Sequence, residues 1–472
     1  MQRVRLESGD GHVEVDLPDD AVVVEAGAAP HEPQGLADPV AATREALHAP
    51  LGCPPIPELV GPGSRVTIAF PDRVKGGAHP TAHRRVTIPL LVEELDRAGV
   101  RRRDITLVCA IGLHRKNTEE EFAALLGEDT LSRLDPSQIV NHDAEDPAGI
   151  TQLAPSDLGD VVAMNRHLSD ADLSIMISHA SGNPYGGFSG GYKMPATGLT
   201  TWRSISSHHT PKTLQRDDFV PISTRSHFRD QLTAIGRRRE ESLPAPFFTV
   251  DAALNARSEQ IAVRAGRIPD VEQATWPTAG ARTDLDLVGD PADILIIGVP
   301  RNFHYGRGMG SNPVLMMQAV GASIARAKGA LKPHPVVIAA AVCDGWFNEE
   351  EFPSYEQTYN LLQTVHRPSD MVQYEEELST DPAFVERYRH AWGYHPFHAF
   401  SMIYMGGLAR EYAKAVYIAG AESPGHARGM GAIPTATVED ALAEARRHVD
   451  GEPRILVVPE LSRPAYHINS RH

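Results

Sequence analysis

Short runs of Val, Ile, Leu and Ala recur along the chain and end abruptly in polar or turn residues. The clearest lie at 65–70 (RVTIAF), 104–110 (DITLVCA), 173–178 (LSIMIS), 293–300 (DILIIGVP), 335–342 (PVVIAAAV), 414–420 (KAVYIAG) and 454–459 (RILVVP). Continuous apolar runs of this length suit strands covered on both faces, as in a parallel sheet. Between them lie stretches of helical period at 86–97, 118–126 (TEEEFAALL) and 437–449 (TVEDALAEARRHV). Thr118 and Glu121 stand at capping-box spacing, and Thr437 with Asp440 is a weaker version of it. Strand and helix in alternation predict an α/β architecture. We expect two domains, each a mostly parallel sheet covered by helices, with the active site in the cleft between them. The segment 267–290 mixes Pro, Gly, Thr and Asp with little periodicity and reads as a linker or crossover. It divides the chain into residues 1–270 and 271–472, with the last segment free to pack back on the first domain. No internal repeat or low-complexity tract is present.

Length agrees with this division, since 472 residues is the size of two or three ordinary domains. A net charge of −16 disfavours nucleic acid and anionic membrane as partners, both of which need a basic surface. It does not disfavour a small anionic substrate, for which two or three local cations suffice. Cys53, Cys109 and Cys343 are far apart and odd in number, so no disulfide framework or structural zinc site is expected. The charged first twenty residues lack a signal-peptide core, and no apolar run reaches the length of a bilayer span. The expected location is the cytoplasm.

Chemistry-bearing residues follow the predicted strands. Asp72 comes two residues after RVTIAF, His114 four after DITLVCA, and His179 directly after LSIMIS. Ligands of open α/β sheets bind beyond the carboxyl ends of strands. One shared site and three separate turn or cap residues are both consistent with this pattern. The segment 186–198 (GGFSGGYKMPATG) is dense in glycine and contains Lys193. Such a loop can bring backbone N–H groups close to a phosphate, with Lys193 as a phosphate contact or an attachment point. A flexible loop with a solvated lysine is the alternative. SSHHT at 206–210 places two adjacent histidines, of which at most one faces a given metal if they lie on a helix. His-Glu-x-x-His, Ser-nucleophile and kinase patterns are absent. Composition and spacing stop at an α/β enzyme with a histidine-rich cleft and a glycine-rich lysine loop.

GFSGGYK at 187–193 resembles the GFSGGxK signature of the nickel-dependent lactate racemase family, and GLHRKNTEEE at 112–121 resembles its GxHRxxTEEE segment. PDRVK at 71–75 is similar to its Asp-x-x-Arg segment, with lysine for arginine. IPTATVEDALAEA followed by RILVVPELSRPAY resembles the family's closing helix and strand. The likeness is dense between about 65 and 210 and thin between 300 and 410. It implies a nickel-pincer nucleotide, the nickel complex of pyridinium-3,5-bisthiocarboxylic acid mononucleotide. The resemblance maps its thioamide link onto Lys193, its cradle onto Ser189, Gly190 and Gly191, and the histidine ligand of its nickel onto His209, sixteen residues after Lys193. It further implies reversible hydride transfer from C2 of a 2-hydroxy acid through a 2-keto intermediate, with Asp72, Lys75 and a His114 base as catalytic residues. The family's second base falls on Asn183, which cannot hold a proton near neutral pH. His179, four residues earlier, is the conjectured replacement.

In the second half, RNFHYGRGMG at 301–310 stands where the family has a Tyr-Gln…Lys cluster. Asn183, Tyr305 and Arg307 are therefore the candidate substrate contacts. HPFHAF at 395–400 lacks the family's pocket tryptophan. Together these departures imply a substrate other than lactate, a different or larger 2-hydroxy acid. The implied partners are that acid and the enzymes that synthesise the cofactor, with neither nucleic acid nor membrane. Two further readings stay open: a one-base hydride-shuttle, redox or dehydration reaction on the same cofactor, and a non-catalytic cofactor carrier or sensor.

Overall fold

The computed structural model describes residues 1–25, 32–242, 245–461 and 466–471. Residues 462–465, part of the closing segment used in the family comparison, lie outside the described residues. Two sheets carry the fold. The first has six strands in the order Gln260–Arg267, Phe248–Leu254, Leu173–Ala180, Val66–Pro71, Ile105–Ala110 and Ile139–Asn141. Its pairs are parallel except for the hairpin between the first two. The second has eight strands and is built on Ala292–Pro300, which pairs in parallel with Leu331–Ala340 and Ile455–Val458. All seven predicted strands are present in these sheets, and helices cover them as the α/β reading requires.

Local signals held where side chains alone determine them. Thr118 Oγ1 accepts from the Glu121 amide at 3.2 Å, and Glu121 returns a bond to the Thr118 amide at 2.9 Å. Thr437 caps Val438–Ala445 through the Asp440 amide. Two expectations need correction. The segment read as a linker is largely the helix Ile268–Thr283, with Pro269 in its first turn and Pro277 inside it. Its buried residues, among them Ile268, Val271, Thr275 and Ala279, cover the first sheet, and this packing outweighs the poor local pattern. The other correction concerns residues 2–23, grouped by sequence with the first half. They pair into the second sheet, through Ser8 with Val299 and Leu456 with Val22. The alternating Val4, Leu6, Val15 and Leu17 bury against Ile294, Ile296 and Ile338, so it is the second sheet that shields them from water. The closing strand His467–Arg471 pairs in parallel with Asp284–Val288. Among the described residues, no helix is long and apolar enough to cross a membrane.

Candidate active site

The carboxyl ends of the first sheet's strands open onto a cavity of about 670 Å³, and the second half of the chain closes it with His304, Tyr305, Arg326 and His398. That volume is within the range of small-ligand pockets. Asp72, Lys75, His114, His179, Asn183, Ser189, Gly190, Lys193, His209 and Tyr305 all line it. The strand-end histidines thus share one site and are not separate caps.

Asp72 and His114 form its most defined pair. Asp72 follows Val66–Pro71 and is 3% exposed; its Oδ2 is 2.6 Å from His114 Nδ1, while Oδ1 accepts from the Val74 amide at 3.2 Å. Burial by itself would raise the Asp72 pKa. His114, then Lys75 and Arg73, outweigh it and hold the carboxyl below its ordinary value. The ionised carboxylate accepts the Nδ1 proton, so in the neutral form of the imidazole the lone pair is on Nε2. Arg84, from His83–Arg97, ties down the loop that carries Asp72 and Lys75. Its guanidinium donates to the carbonyls of Asp72 at 2.8 Å and Gly77 at 2.6 Å, and also to those of Pro71 and Lys75. Lys75 itself is pushed below its usual pKa by burial, against the pull of Asp72.

The glycine-rich loop is a packed turn. Gly190 and Gly191 have φ of +78° and +54°, values that favour glycine. A Cβ at Gly191 would lie 1.8 Å from Glu272 Oε1. Five amides of the loop are engaged within the fold: Gly191 donates to Asp251 at 3.3 Å, Tyr192 to Glu272 at 3.0 Å, and those of Ser189, Lys193 and Met194 to backbone carbonyls. Buried Arg229 holds Glu272 from the far side at 2.6 Å. Ser189 Oγ donates to the His179 carbonyl at 2.8 Å, so it braces the loop as well as lining the cavity.

Lys193 and His209 both pack against the rings of Tyr185 and Phe228. Lys193 Nζ lies 5.1 Å from the Phe228 ring and 5.5 Å from Tyr185, with no carboxylate in ion-pair distance among the described residues. Burial, then Lys75 and Arg229, push its pKa well below the usual lysine value. His209 closes the C-terminus of Trp202–His208 between the rings of Tyr185 and Phe228. It is 7% exposed, its Nδ1 is buried without a partner among the described residues, and burial holds it well below the ordinary histidine pKa. The neighbouring His208 points elsewhere, with Nε2 3.2 Å from Thr197 Oγ1, and is outside the lining. No group of three or more His, Cys, Asp or Glu side chains is arranged to hold a metal among the described residues.

The remaining candidates divide. Asn183 Oδ1 accepts from the Tyr185 amide at 2.8 Å, which fixes the side chain in a turn. Burial, Lys75 and Arg84 push His179 down to about 3, so its ring stays neutral. Tyr305 packs edge-on to His114 at 5.4 Å. Arg307 is exposed above Trp346 and outside the lining. Among the described residues, the arginine that reaches the cavity from this half is Arg326, on Pro313–Ala327. Sequence reasoning also missed Arg84, Arg229 and His398. The two arginines carry no motif, and His398 was noted only for the absence of tryptophan around it.

Residues 8–218 match the family described as Lactate racemase N-terminal domain. Lactate racemase from Thermoanaerobacterium thermosaccharolyticum is 23% identical over 211 residues, covering 44% of this chain and 47% of that protein. Lactate racemase from Lactiplantibacillus plantarum is 26% identical over 166 residues, covering 35% and 37%. The matched stretches span about half or less of these curated relatives. Fold similarity extends further. The lactate racemase apoprotein of T. thermosaccharolyticum superimposes over 100% of both chains with a TM-score of 0.72 at 17% identity. A Thermotoga maritima protein of known crystal structure covers 93% of this chain with a TM-score of 0.58 at 15% identity.

Proposed function

We propose, for a chain that belongs to the lactate racemase family through its residues 8–218, that it is an isomerase inverting C2 of a small 2-hydroxy acid. The observation that carries this reading is the Asp72–His114 pair at 2.6 Å, in one cavity with Lys193 and His209. An imidazole fixed by a buried carboxylate is suited to take the hydroxyl proton of a 2-hydroxy acid. Lys75 and Arg326 are the cations proposed for its carboxylate and any further polar group. The substrate differs from lactate on this reading, because the residues drawn from the second half depart from the family pattern.

The site fits the family's nickel-pincer nucleotide. Burial pushes the Lys193 pKa well below the usual lysine value, which makes its amine easier to deprotonate and acylate and suits it as the attachment point. His209 offers one imidazole donor. A single protein donor is enough for a metal that arrives with soft ligands of its own. When bound, that group would supply the hydride acceptor for C2. Asp72 orients His114, His114 takes the hydroxyl proton, and the aromatic walls around Lys193 exclude water.

A second reading rests on Asn183, whose carbonyl is engaged, and on His179, whose low pKa makes it a reluctant base. It is hydride transfer served by His114 alone. The test is expression with the cofactor-synthesis enzymes, followed by mass spectrometry of the Lys193 peptide, nickel analysis and chiral analysis of the products. We expect an adduct that is lost in Lys193→Ala, and nickel that falls in His209→Ala but stays in His208→Ala. Full nickel and cofactor absorbance in both Lys193→Ala and His209→Ala would overturn the assignment. Conversion of one enantiomer to a keto acid without inversion would favour the one-base reaction.

A further inference from the structure

A buried hydroxyl has to donate its proton somewhere. Tyr355 is fully buried, and among the described residues its oxygen has one hydrogen-bond partner, His398 Nδ1 at 2.6 Å. The direction of that bond follows: the phenol donates and Nδ1 accepts. A neutral imidazole that accepts at Nδ1 carries its proton on Nε2. His398 is 4% exposed, and its Nε2 is buried with no partner among the described residues. Burial, then His114 and His304, hold its pKa well below the usual value, so the ring is neutral. It is therefore a donor without an acceptor, an unfavourable state that a ligand oxygen relieves.

His398 lines the cavity from Phe397–Tyr412, and its ring centre lies 5.5 Å from that of His114. The two rings have opposite tautomers. Asp72 leaves His114 with a lone pair on Nε2, and Tyr355 leaves His398 with a proton there. The rings meet edge to face, at 84°, and between them carry one acceptor and one donor, which complements an alcohol oxygen, itself one donor and one acceptor.

We propose that His398, oriented by Tyr355, donates a hydrogen bond to the C2 oxygen of the substrate, the oxygen whose proton His114 takes. His398 neither gains nor loses a proton; it stabilises the negative charge that develops as the O–H bond weakens. This rests on the 2-hydroxy-acid reading above.

The experiment is ¹⁵N–¹H spectroscopy of the full chain labelled at histidine, with His398 identified by its loss in His398→Gln. Pyruvate and racemic lactate at millimolar concentration are the probes. We expect the His398 proton on Nε2 near neutral pH and a downfield shift of that proton with at least one probe. Tyr355→Phe removes the donor to Nδ1, so the tautomers should mix and probe affinity should fall about ten-fold. A proton on Nδ1, or a His398 resonance unmoved by both probes, overturns the proposal. Failure of the cofactor-loaded protein to invert any 2-hydroxy acid, with the His398 proton on Nε2 and shifting, overturns the isomerase reading and leaves His398 as a ligand donor. Inversion alongside an unmoved resonance overturns the His398 assignment alone.

Discussion

Asp72 shows how a single carboxylate can set the state of a whole site. It is buried, yet His114, Lys75 and Arg73 keep it ionised, and in that state it chooses which nitrogen of His114 is free. Asp72→Asn keeps the size and loses the charge. An amide can present its NH₂ as readily as its oxygen to Nδ1, so His114 would also adopt the tautomer whose Nε2 carries the proton. We expect turnover to fall about 10²–10⁴-fold, the usual contribution of an oriented general base, with a much smaller change in KM. A loss below ten-fold in steady-state kinetics would remove Asp72 from this role. The local signals for Asp72, His114 and Lys193 were legible because each stands at a strand end or in a glycine-rich motif, and His209 was legible only through the family spacing of sixteen residues after Lys193. His398 and Arg84 were not legible. A histidine in an aromatic helix and an arginine early in another acquire meaning only from what the fold brings to them.

At the scale of elements, the loop from Ser189 to Lys193 explains the density of glycine. It packs closely over two carboxylates, Asp251 and Glu272, which accept from the Gly191 and Tyr192 amides. Gly191→Ala would drive a Cβ into Glu272 at a φ of +54° and disturb the buried pair with Arg229. We expect a loss of roughly 3 kcal/mol or more in chemical denaturation, from backbone strain together with a displaced buried charge. Gly425, in Pro424–Gly429, has nothing within 4 Å of its Cβ position. Gly425→Ala should be neutral, or stabilising by about 0.5–1 kcal/mol. Equal stability of the two variants would show that the loop is not packed in this way. The helix Ile268–Thr283 teaches the complementary lesson: two prolines and a weak pattern conceal an element that packing against the first sheet stabilises.

Across the whole molecule, several histidines are buried in their neutral form. Burial pushes His83 and His142 down to about 4, with hydrogen bonds to Val250 and Thr200 opposing it only in part. On unfolding both return to about 6.5. Between these values the unfolded chain binds protons that the folded chain refuses, so stability rises with pH from about 4 to 6.5 and is lost on acidification through that window. Each contributes roughly 2 kcal/mol of this loss at pH 5 relative to pH 7. The denaturation midpoint should therefore fall between pH 7 and pH 5; an unchanged midpoint would contradict the burial of these rings. The sequence by itself determined the seven main strands, their α/β order, the capped helices and the motif residues of the first half, because these depend on side-chain periodicity and on neighbours a few residues away. The tertiary structure alone decided that residues 2–23 join the second sheet, that Arg307 faces solvent while Arg326 reaches the cavity, and that His398 meets His114. Those outcomes depend on which apolar faces find each other across hundreds of residues, and a local pattern carries no record of that partner.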